Sequence, residues 1–401
     1  MEVLIEWLLF LPYETTMVQL FVAGSVITTL AIFSAPMIGW ALLGMTYGWI
    51  YQLPQQEWLI MSGILLASSI PWVRRNLVSR FILLACQKFK VFPRVSDTER
   101  TALEAGTVWV DADLFSGSPS IKKLMKQSYP TLSLEEQTFL DGPVEELCNA
   151  VNDWEVTQQR KLPEKAWQLI KDHRFLGMII PKKYGGLEMS ANGHSAVIEK
   201  LSSRSSTLGI TVMVPNSLGP AELLIHYGTE EQKQHYLPRL ATGEEIPCFG
   251  LTEPTAGSDA GSLTSSGVVF KGDDGEAYIK LNWNKRWITL AGISTVVGLA
   301  FRLKDPEHII GLTTDYGITC ALIPTNTQGV DVSRRHDPLG VPFYNCPTTG
   351  TDVVVPVSAI IGGVEGAGKG WKMLMDCLSA GRGVSLPALS TGGVKLALRS
   401  T

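Results

Sequence analysis

Charged residues are missing from one long stretch near the N-terminus. No Asp, Glu, Lys or Arg occurs between Glu14 and Glu57, and a second apolar run extends from Trp58 to Val73. Apolar runs of this length exclude an ordinary solvated surface and favour membrane helices. The sequence therefore predicts two or three membrane spans. The alternative is a buried helical hairpin in a soluble protein.

Basic residues are also absent before these runs, and they follow the second run closely. The early charges are Glu2 and Glu6, so the N-terminus does not resemble a cleavable signal peptide. The positive-inside rule places the basic flank, and everything after it, in the cytoplasm. The segment 76–92 is either an amphipathic interfacial helix or a juxtamembrane linker. The basic residues of the flank are Arg74, Arg75, Arg80, Lys88, Lys90 and Arg94.

Several other common signals are lacking. A net charge of −4 and a pI near 5.9 argue against a nucleic-acid-binding protein. The six cysteines form no Cys-x-x-Cys pair, which predicts reduced thiols, and the histidines show no ligand spacing, so we expect no metal. The stretch 363–370 resembles a P-loop but ends in Gly370, which has no hydroxyl for magnesium.

Two polar stretches are what the sequence does offer. Phe249 and Leu251 alternate with small or polar residues before a loop that carries the hydroxyls of Thr252 and Ser258. Gly257 is expected to let the backbone of this loop come close to a ligand. A second predicted strand, Tyr278–Thr289, ends with an indole and a hydroxyl two residues apart, which alternation places on one face. Taken singly, each stretch is better explained by an ordinary hairpin whose polar residues satisfy the backbone of the turn.

Helix and strand signals surround these stretches. Ser133 with Glu136 predicts a capping box, and Thr229 predicts another helix N-terminus. Between Ile246 and Ile361, short runs rich in β-branched residues predict strands. Three histidines on the predicted helices are interpreted as solvated or capping residues, not catalysts: His194, His226 and His235.

The order of the two polar stretches resembles the acyl-coenzyme A dehydrogenase family. The motif Thr-Glu-Pro-x-Ala-Gly-Ser-Asp spans 252–259, and Trp-Ile-Thr spans 287–289. The resemblance runs from about Leu134 to Thr401. It implies an α-helical domain, a β-barrel-like middle domain and a truncated C-terminal helical bundle. With the membrane helices that the apolar runs predict, the expected fold class is α+β. The expected parts are 1–75 (membrane), 76–96 (linker or interfacial helix), 97–245 (helical), 246–361 (flavin-binding) and 362–401 (incomplete bundle).

The resemblance implies FAD-dependent α,β-dehydrogenation of an acyl-coenzyme A, with a Glu base expected beyond Thr401. A minority of the family carries the base on an earlier helix, but that position is Gly381 here. Ser258, Ser379 and Arg382 match substrate-binding positions. The cofactor-binding positions are Phe249, Leu251, Thr252, Ser258, Trp287, Ile288 and Thr289.

The implied setting is the bacterial inner membrane, with the globular part in the cytoplasm. A membrane site favours long-chain fatty acyl-coenzyme A from β-oxidation as the substrate. Electrons would leave to an electron-transfer flavoprotein, and the full-length protein would form a homo-oligomer. One alternative is a catalytically incompetent, membrane-anchored fragment that acts at most as a binding protein. Another is an acyl-coenzyme A oxidase, which the sequence does not favour.

Overall fold

The computed structural model divides the chain into two compact units, with the boundary between Val95 and Ser96. The boundary lies one residue before the start of the helical part that we predict from the sequence. The structure describes residues 16–32, 36–50, 54–73, 76, 79–89, 91, 95–105, 110–116, 119–217 and 219–401.

In the N-terminal unit, the described residues of the uncharged run lie mainly in helices. One helix ends at Ile32, and the next begins directly after Pro36, a position that suits proline because it disrupts a helix interior. The Trp58 indole donates to the carbonyl oxygen of Met45 at 3.1 Å. The helices are α1 (Thr16–Ile32), α2 (Met37–Ile50), α3 (Gln55–Ser69) and α4 (Arg80–Lys88), with a single turn at Pro71–Val73.

None of the helices in the described ranges combines the length and hydropathy that a membrane crossing requires. The predicted spans therefore remain a prediction. Helix α4 occupies the segment for which we expected either an interfacial helix or a linker. Phe81 and Leu84 on this helix are more than half exposed. Arg74, Arg75, Lys90 and Arg94 lie outside the described residues.

The second unit begins with helices. The predicted capping box forms, because the Ser133 hydroxyl accepts from Glu136 N–H. The predicted N-cap Thr229 accepts from Gln232 N–H and forms a second capping box. These bonds satisfy amides that have no partner inside the helix. The helices are α5 (Asp97–Ala105), α6 (Val110–Phe115), α7 (Ile121–Met125), α8 (Leu134–Asp141), α9 (Pro143–Asn149), α10 (Asp153–Gln159), α11 (Glu164–Asp172), α12 (Ala191–Ser202), α13 (Ser206–Met213), α14 (Pro220–Tyr227) and α15 (Glu230–Thr242).

The cap of α15 also ties the helices to the sheet that follows. The amide nitrogen of Gln232 donates to the carbonyl oxygens of Ser358 and Ile360, at 2.9 and 2.7 Å. Its amide oxygen accepts from Gly362 N–H at 3.0 Å. One buried side chain therefore satisfies three backbone groups in the segment that follows the last strand.

Seven strands form one sheet, in the order β1-β4-β2-β3-β7-β6, with β5 on the other edge of β4. Strand β1 pairs with β4 in parallel, and β3 pairs with β7 antiparallel. Within the described residues, β5 and β6 are not paired with each other, so the expected barrel-like domain is an open sheet. The strands are β1 (Pro247–Gly250), β2 (Ser266–Lys271), β3 (Ala277–Thr289), β4 (Val296–Lys304), β5 (Asp315–Pro324), β6 (Val330–Val332) and β7 (Asn345–Pro356).

A long helix, α16 (Gly370–Ser400), follows the sheet and packs against α12. The backbones come close, because a Cβ at Gly392 would lie 2.5 Å from the carbonyl oxygen of Glu199. Leu374 and Leu378 on α16 are buried. This helix thereby brings its own residues beside the end of α13 and the carboxyl end of β1.

Candidate functional site

A cavity of about 120 Å³ lies among β1, the end of β3, the end of α13 and α16. It contains most of the residues that the sequence singles out, including Thr252, Trp287 and Arg382. Ser258 is not part of the lining. The full lining is Val214, Phe249, Leu251, Thr252, Trp287, Ile288, Thr289, Leu378 and Arg382.

A β-bulge lies at the end of β3 that borders this cavity. Between Lys285 and Ile288, two residues of β3 face one residue of β7. Trp287 lies in the bulge with a φ of 61°, a conformation that a bulky residue seldom adopts. Trp287 and Thr289 both line the cavity, with the buried Ile288 between them, so the expectation that they share a face is confirmed. The alternation is interrupted only before this pair, at the bulge.

The Trp287 side chain is 48% exposed and lies between cationic and aromatic neighbours. Its ring centroid is 4.5 Å from that of His336, and the Arg286 guanidinium lies 5.1 Å from it. A cation near an indole face is attracted by the ring quadrupole. These neighbours hold the ring in place while leaving part of its surface open to a ligand.

The loop after β1 makes its tight turn at Glu253–Ala256, where the two residues exchange backbone hydrogen bonds. Thr252 is anchored to β3, because its carbonyl oxygen accepts from Arg286 N–H at 2.9 Å. Gly257 does not have a positive φ, and a Cβ there would meet no atom of the chain within 4 Å. The protein alone therefore gives no reason for glycine at this position. Ser258 lies exposed in the bend that follows.

A buried ion pair holds this loop, and the sequence analysis missed it. The Lys285 ammonium lies 2.8 Å from a Glu253 carboxylate oxygen and donates to the carbonyl oxygen of Leu251 at 3.0 Å. Both side chains are nearly inaccessible, at 0% and 2% exposure. The same carboxylate accepts from the amides of Thr264 and Ser265, at 2.6 and 3.0 Å.

The protonation of this pair follows from these contacts. Burial acts to raise the pKa of Glu253, but the hydrogen bonds from Lys285, Ser265 and Thr264 outweigh it and lower the pKa to about 2. Glu253 is thus an anion at neutral pH, and it is fully engaged in holding the loop. It does not line the cavity, so its role is to position Leu251 and Thr252, which do.

Helix α16 supplies the opposite wall. Leu378 and Arg382 line the cavity, one turn apart on the helix. Ser379 is on the same helix, but its side chain falls outside the described residues. A Cβ at Gly381 would overlap the carbonyl oxygen of Ser217, so the helix meets the 213–217 segment backbone to backbone. The structure therefore has no room for a side chain at the position where a minority of the resembled family carries its base.

A second cavity, of about 240 Å³, also borders the contact between α16 and the 213–217 segment. Gly381 is part of its lining. His194 lines it and is only 4% exposed. The prediction of a solvated or capping residue is therefore wrong for His194, which packs inside α12 against α16. Burial lowers the pKa of His194 to about 4, so it is neutral at pH 7. Glu222 also lines this cavity, and burial raises its pKa.

The sequence analysis missed three residues near the first cavity: Lys285, His336 and Asn345. Each of them contacts a lining residue but does not line the cavity itself, and all three lie outside the family-like motifs. Lys285 stands within a strand pattern whose alternation marks it as inward-facing, since it falls between the buried residues Trp283 and Ile288. A charged residue at a buried position was the available signal.

Comparison with known proteins identifies two domain families along the chain. Residues 137–244 match the family described as acyl-CoA dehydrogenase, N-terminal domain. Residues 248–353 match the acyl-CoA dehydrogenase middle domain. The first match covers helices α9 to α15, and the second covers the sheet from β1 into β7. Together the two matches cover more than half of the chain.

Individual proteins are similar over parts of their length. A probable acyl-CoA dehydrogenase, YngJ, of Bacillus subtilis is 31% identical over 247 residues, covering 61% of this chain and 60% of that protein. Protein HemX of Proteus mirabilis is 55% identical over 102 residues, covering 25% of this chain and 60% of that protein. The chain thus spans 60% of the length of each of these relatives.

The fold also resembles solved structures. An acyl-CoA dehydrogenase from Bacillus anthracis, crystallised in complex with FAD, aligns with a TM-score of 0.55 and 25% identity. The alignment covers 65% of this chain and 42% of that chain. The arrangement of a helical region followed by a sheet and a long helix is therefore shared.

Proposed function

Because this chain belongs to the acyl-CoA dehydrogenase family, we propose that it binds FAD and catalyses the α,β-dehydrogenation of a fatty acyl-coenzyme A. The observation that carries the proposal is the cavity that gathers Thr252, Trp287, Thr289 and Arg382 at one place. These residues come from the carboxyl end of one strand, a bulge in another and a helix. Packing brings together what lies more than a hundred residues apart in the chain.

The residues of this cavity fit one edge of a flavin. Trp287 offers a half-exposed ring for stacking, and Thr252 and Thr289 offer hydroxyls at the border of an apolar surface formed by Phe249 and Leu251. Bound FAD would supply the capacity to accept two electrons, which no side chain of the lining has. The chain contributes the orientation of the ring and the exclusion of water.

The substrate side of the cavity is proposed to be the α16 wall. The Arg382 guanidinium suits a phosphate or an adenine edge of coenzyme A, because its planar fork donates several parallel hydrogen bonds. Ser258, exposed in the loop after β1, is the second proposed contact of the coenzyme A arm. Leu378 and Val214 add apolar surface for the start of the acyl chain.

A second candidate function is a binding protein without dehydrogenase activity. The observation that favours it is the cavity lining, which contains no Asp or Glu among the described residues. Removal of the α proton needs a base within hydrogen-bond reach. Gly381 has no side chain, and Glu253 is held in its ion pair with Lys285. We retain dehydrogenation as the first proposal because the family assignment supports it.

The proposed setting is the cytoplasmic face of a bacterial inner membrane. The uncharged run in the N-terminal unit and the exposed apolar side chains of α4 support this localisation. A membrane site in turn favours long-chain substrates. We further propose that an electron-transfer flavoprotein accepts the electrons and that the protein forms a homo-oligomer.

An absorption spectrum of the detergent-purified chain tests the proposal. Bound flavin gives visible absorbance, and a long-chain acyl-coenzyme A should bleach it if dehydrogenation occurs. Flavin that is bound but not bleached would favour the binding protein. Absence of flavin after reconstitution with excess FAD would contradict both proposals. A short-chain acyl-coenzyme A, added in parallel, tests the preference for long chains.

A further inference from the structure

A buried amide lies directly behind the Thr289 hydroxyl. Thr289 is the last residue of β3, and Asn345 is the first residue of β7, where the two are paired in register. Thr289 lines the first cavity, whereas Asn345 does not and is only 3% exposed. The Asn345 amide nitrogen donates to the Thr289 hydroxyl oxygen at 3.2 Å.

This bond determines which way the hydroxyl can act. A hydroxyl carries one hydrogen and two lone pairs, and the amide of Asn345 occupies one of the lone pairs. In the described part of the chain, the Thr289 hydroxyl accepts this bond and donates none. Its hydrogen is therefore available to an acceptor outside the protein. A carboxylate in place of the amide would instead attract that hydrogen.

The amide has no other side-chain bond that would explain its presence. The Asn345 side-chain oxygen is buried and has no hydrogen-bond partner among the described residues. A buried unsatisfied oxygen is unfavourable, and an apolar residue of similar size would avoid it. The bond to Thr289 is thus the contact that explains why a polar residue stands at position 345.

The surroundings keep the amide in position. His336 and Asn345 form a β-bridge, in which His336 N–H donates to the Asn345 carbonyl oxygen at 2.6 Å. The His336 ring in turn packs on Trp287, which lies in the cavity wall. The strand, the bridge and the ring therefore fix Asn345 relative to two lining residues.

We propose that Asn345 is a positioning residue that makes Thr289 a hydrogen-bond donor toward the first cavity. The ligand it serves must present a hydrogen-bond acceptor at that wall, such as a ring nitrogen or a carbonyl oxygen. The inference rests on the proposed function, in which this ligand is FAD. The inference adds that Asn345 determines whether the Thr289 hydroxyl donates or accepts a hydrogen bond at the cavity wall.

The test compares FAD dissociation constants of three variants with that of the wild-type chain. Asn345→Asp keeps the shape and exchanges the donor for an acceptor, and Thr289→Val keeps the shape and removes the hydroxyl. Each single change should weaken FAD binding about 3- to 10-fold, the range expected for one hydrogen bond. The double variant should bind no more weakly than Thr289→Val alone, because neighbours that act through one bond are not additive.

A matched control separates this role from a general effect of charge or stability. Asn284→Asp introduces the same charge on an exposed position of β3 and should leave FAD binding within twofold of wild type. Asn345→Ala removes the amide without adding charge and leaves the hydroxyl free to rotate, so its loss should be smaller than that of Asn345→Asp. The visible spectrum of the bound flavin should shift in Asn345→Asp and in Thr289→Val, but not in Asn284→Asp.

The outcomes distinguish this inference from the proposed function. A wild-type chain that binds no FAD would overturn the proposed function and the inference together. A wild-type chain that binds FAD, combined with additive losses in the double variant, would overturn the inference alone. Wild-type affinity and spectrum in Asn345→Asp would do the same.

Discussion

At the scale of the single residue, we expect substitution of Lys285 to have the largest effect on the stability of the chain. Its ammonium is the cation of a buried pair and also donates to the Leu251 carbonyl oxygen. Lys285→Met should destabilise the chain by about 3–5 kcal/mol, because it leaves the Glu253 carboxylate buried without its counter-ion. Thermal unfolding of the purified chain measures the effect.

The control for this prediction lies on the same strand. Lys280→Met removes an exposed lysine of β3 and should change stability by less than about 0.5 kcal/mol. If Lys285→Met were as stable as Lys280→Met, the ion pair would not hold the loop. Lys285→Met should also weaken FAD binding, since Leu251 and Thr252 lose the contact that positions them.

The bulge at Trp287 shows why residue patterns alone miss part of the site. Alternation predicts that Trp287 and Thr289 share a face, and they do meet at one cavity. Alternation does not predict the bulge itself, in which two residues of β3 oppose one residue of β7 and Trp287 takes a left-handed conformation. A bulge depends on the register of two strands, which is a tertiary property.

At the scale of the element, helix α16 is defined by how closely it approaches its neighbours. Gly381 and Gly383 stand two positions apart on this helix, in different surroundings. A Cβ at Gly381 would overlap Ser217, whereas a Cβ at Gly383 would meet no atom within 4 Å. Substitution at Gly381 therefore tests the effect of close packing, and substitution at Gly383 tests the effect of helix propensity.

We expect opposite results from alanine at these two positions. Gly381→Ala should destabilise the chain by about 1–3 kcal/mol, the usual effect of overpacking. Gly383→Ala should be neutral or stabilise it by up to about 1 kcal/mol, because alanine favours a helix. Unfolding temperatures of the two variants provide the measurement. Equal stability of both variants would mean that α16 does not contact the 213–217 segment closely.

The elements themselves were largely predictable from local patterns. The capping box at Ser133 and the N-cap at Thr229 depend on residues within one helical turn, and both are confirmed. The strand predicted at Tyr278–Thr289 begins at Ala277 and ends at Thr289. The second function of Gln232, which ties α15 to the chain after β7, was not predictable, because its partners lie more than a hundred residues away.

At the scale of the whole molecule, the composition of the N-terminal unit leads us to expect that the protein associates with membranes in cells. Its uncharged run and the exposed apolar residues of α4 should hold the chain at a membrane by the hydrophobic effect. In fractionated cells, the chain should pellet with membranes, resist a high-salt wash and dissolve in detergent. Salt screens charges but does not weaken apolar burial.

Two results would contradict this prediction. Release by salt alone would mean that the basic flank, and not apolar burial, holds the chain at the membrane. Recovery in the soluble fraction without salt would exclude membrane attachment under those conditions. A Phe81→Asp variant tests the contribution of α4, and it should increase the fraction that salt releases. Arg80→Ala, which changes the neighbouring residue without adding a polar group to the apolar positions, is its matched control.

The sequence by itself determined the family, the order of helices and strands, and most of the residues that line the first cavity. These features follow from motifs and short-range periodicity, which a linear chain records directly. Only the tertiary structure decided that Lys285 and Glu253 form a buried pair, that Gly381 has no room for a side chain and that Asn345 stands behind Thr289. Each of these depends on contacts between segments far apart in the chain. Such contacts arise from packing and register, and neither is written in any single stretch of sequence.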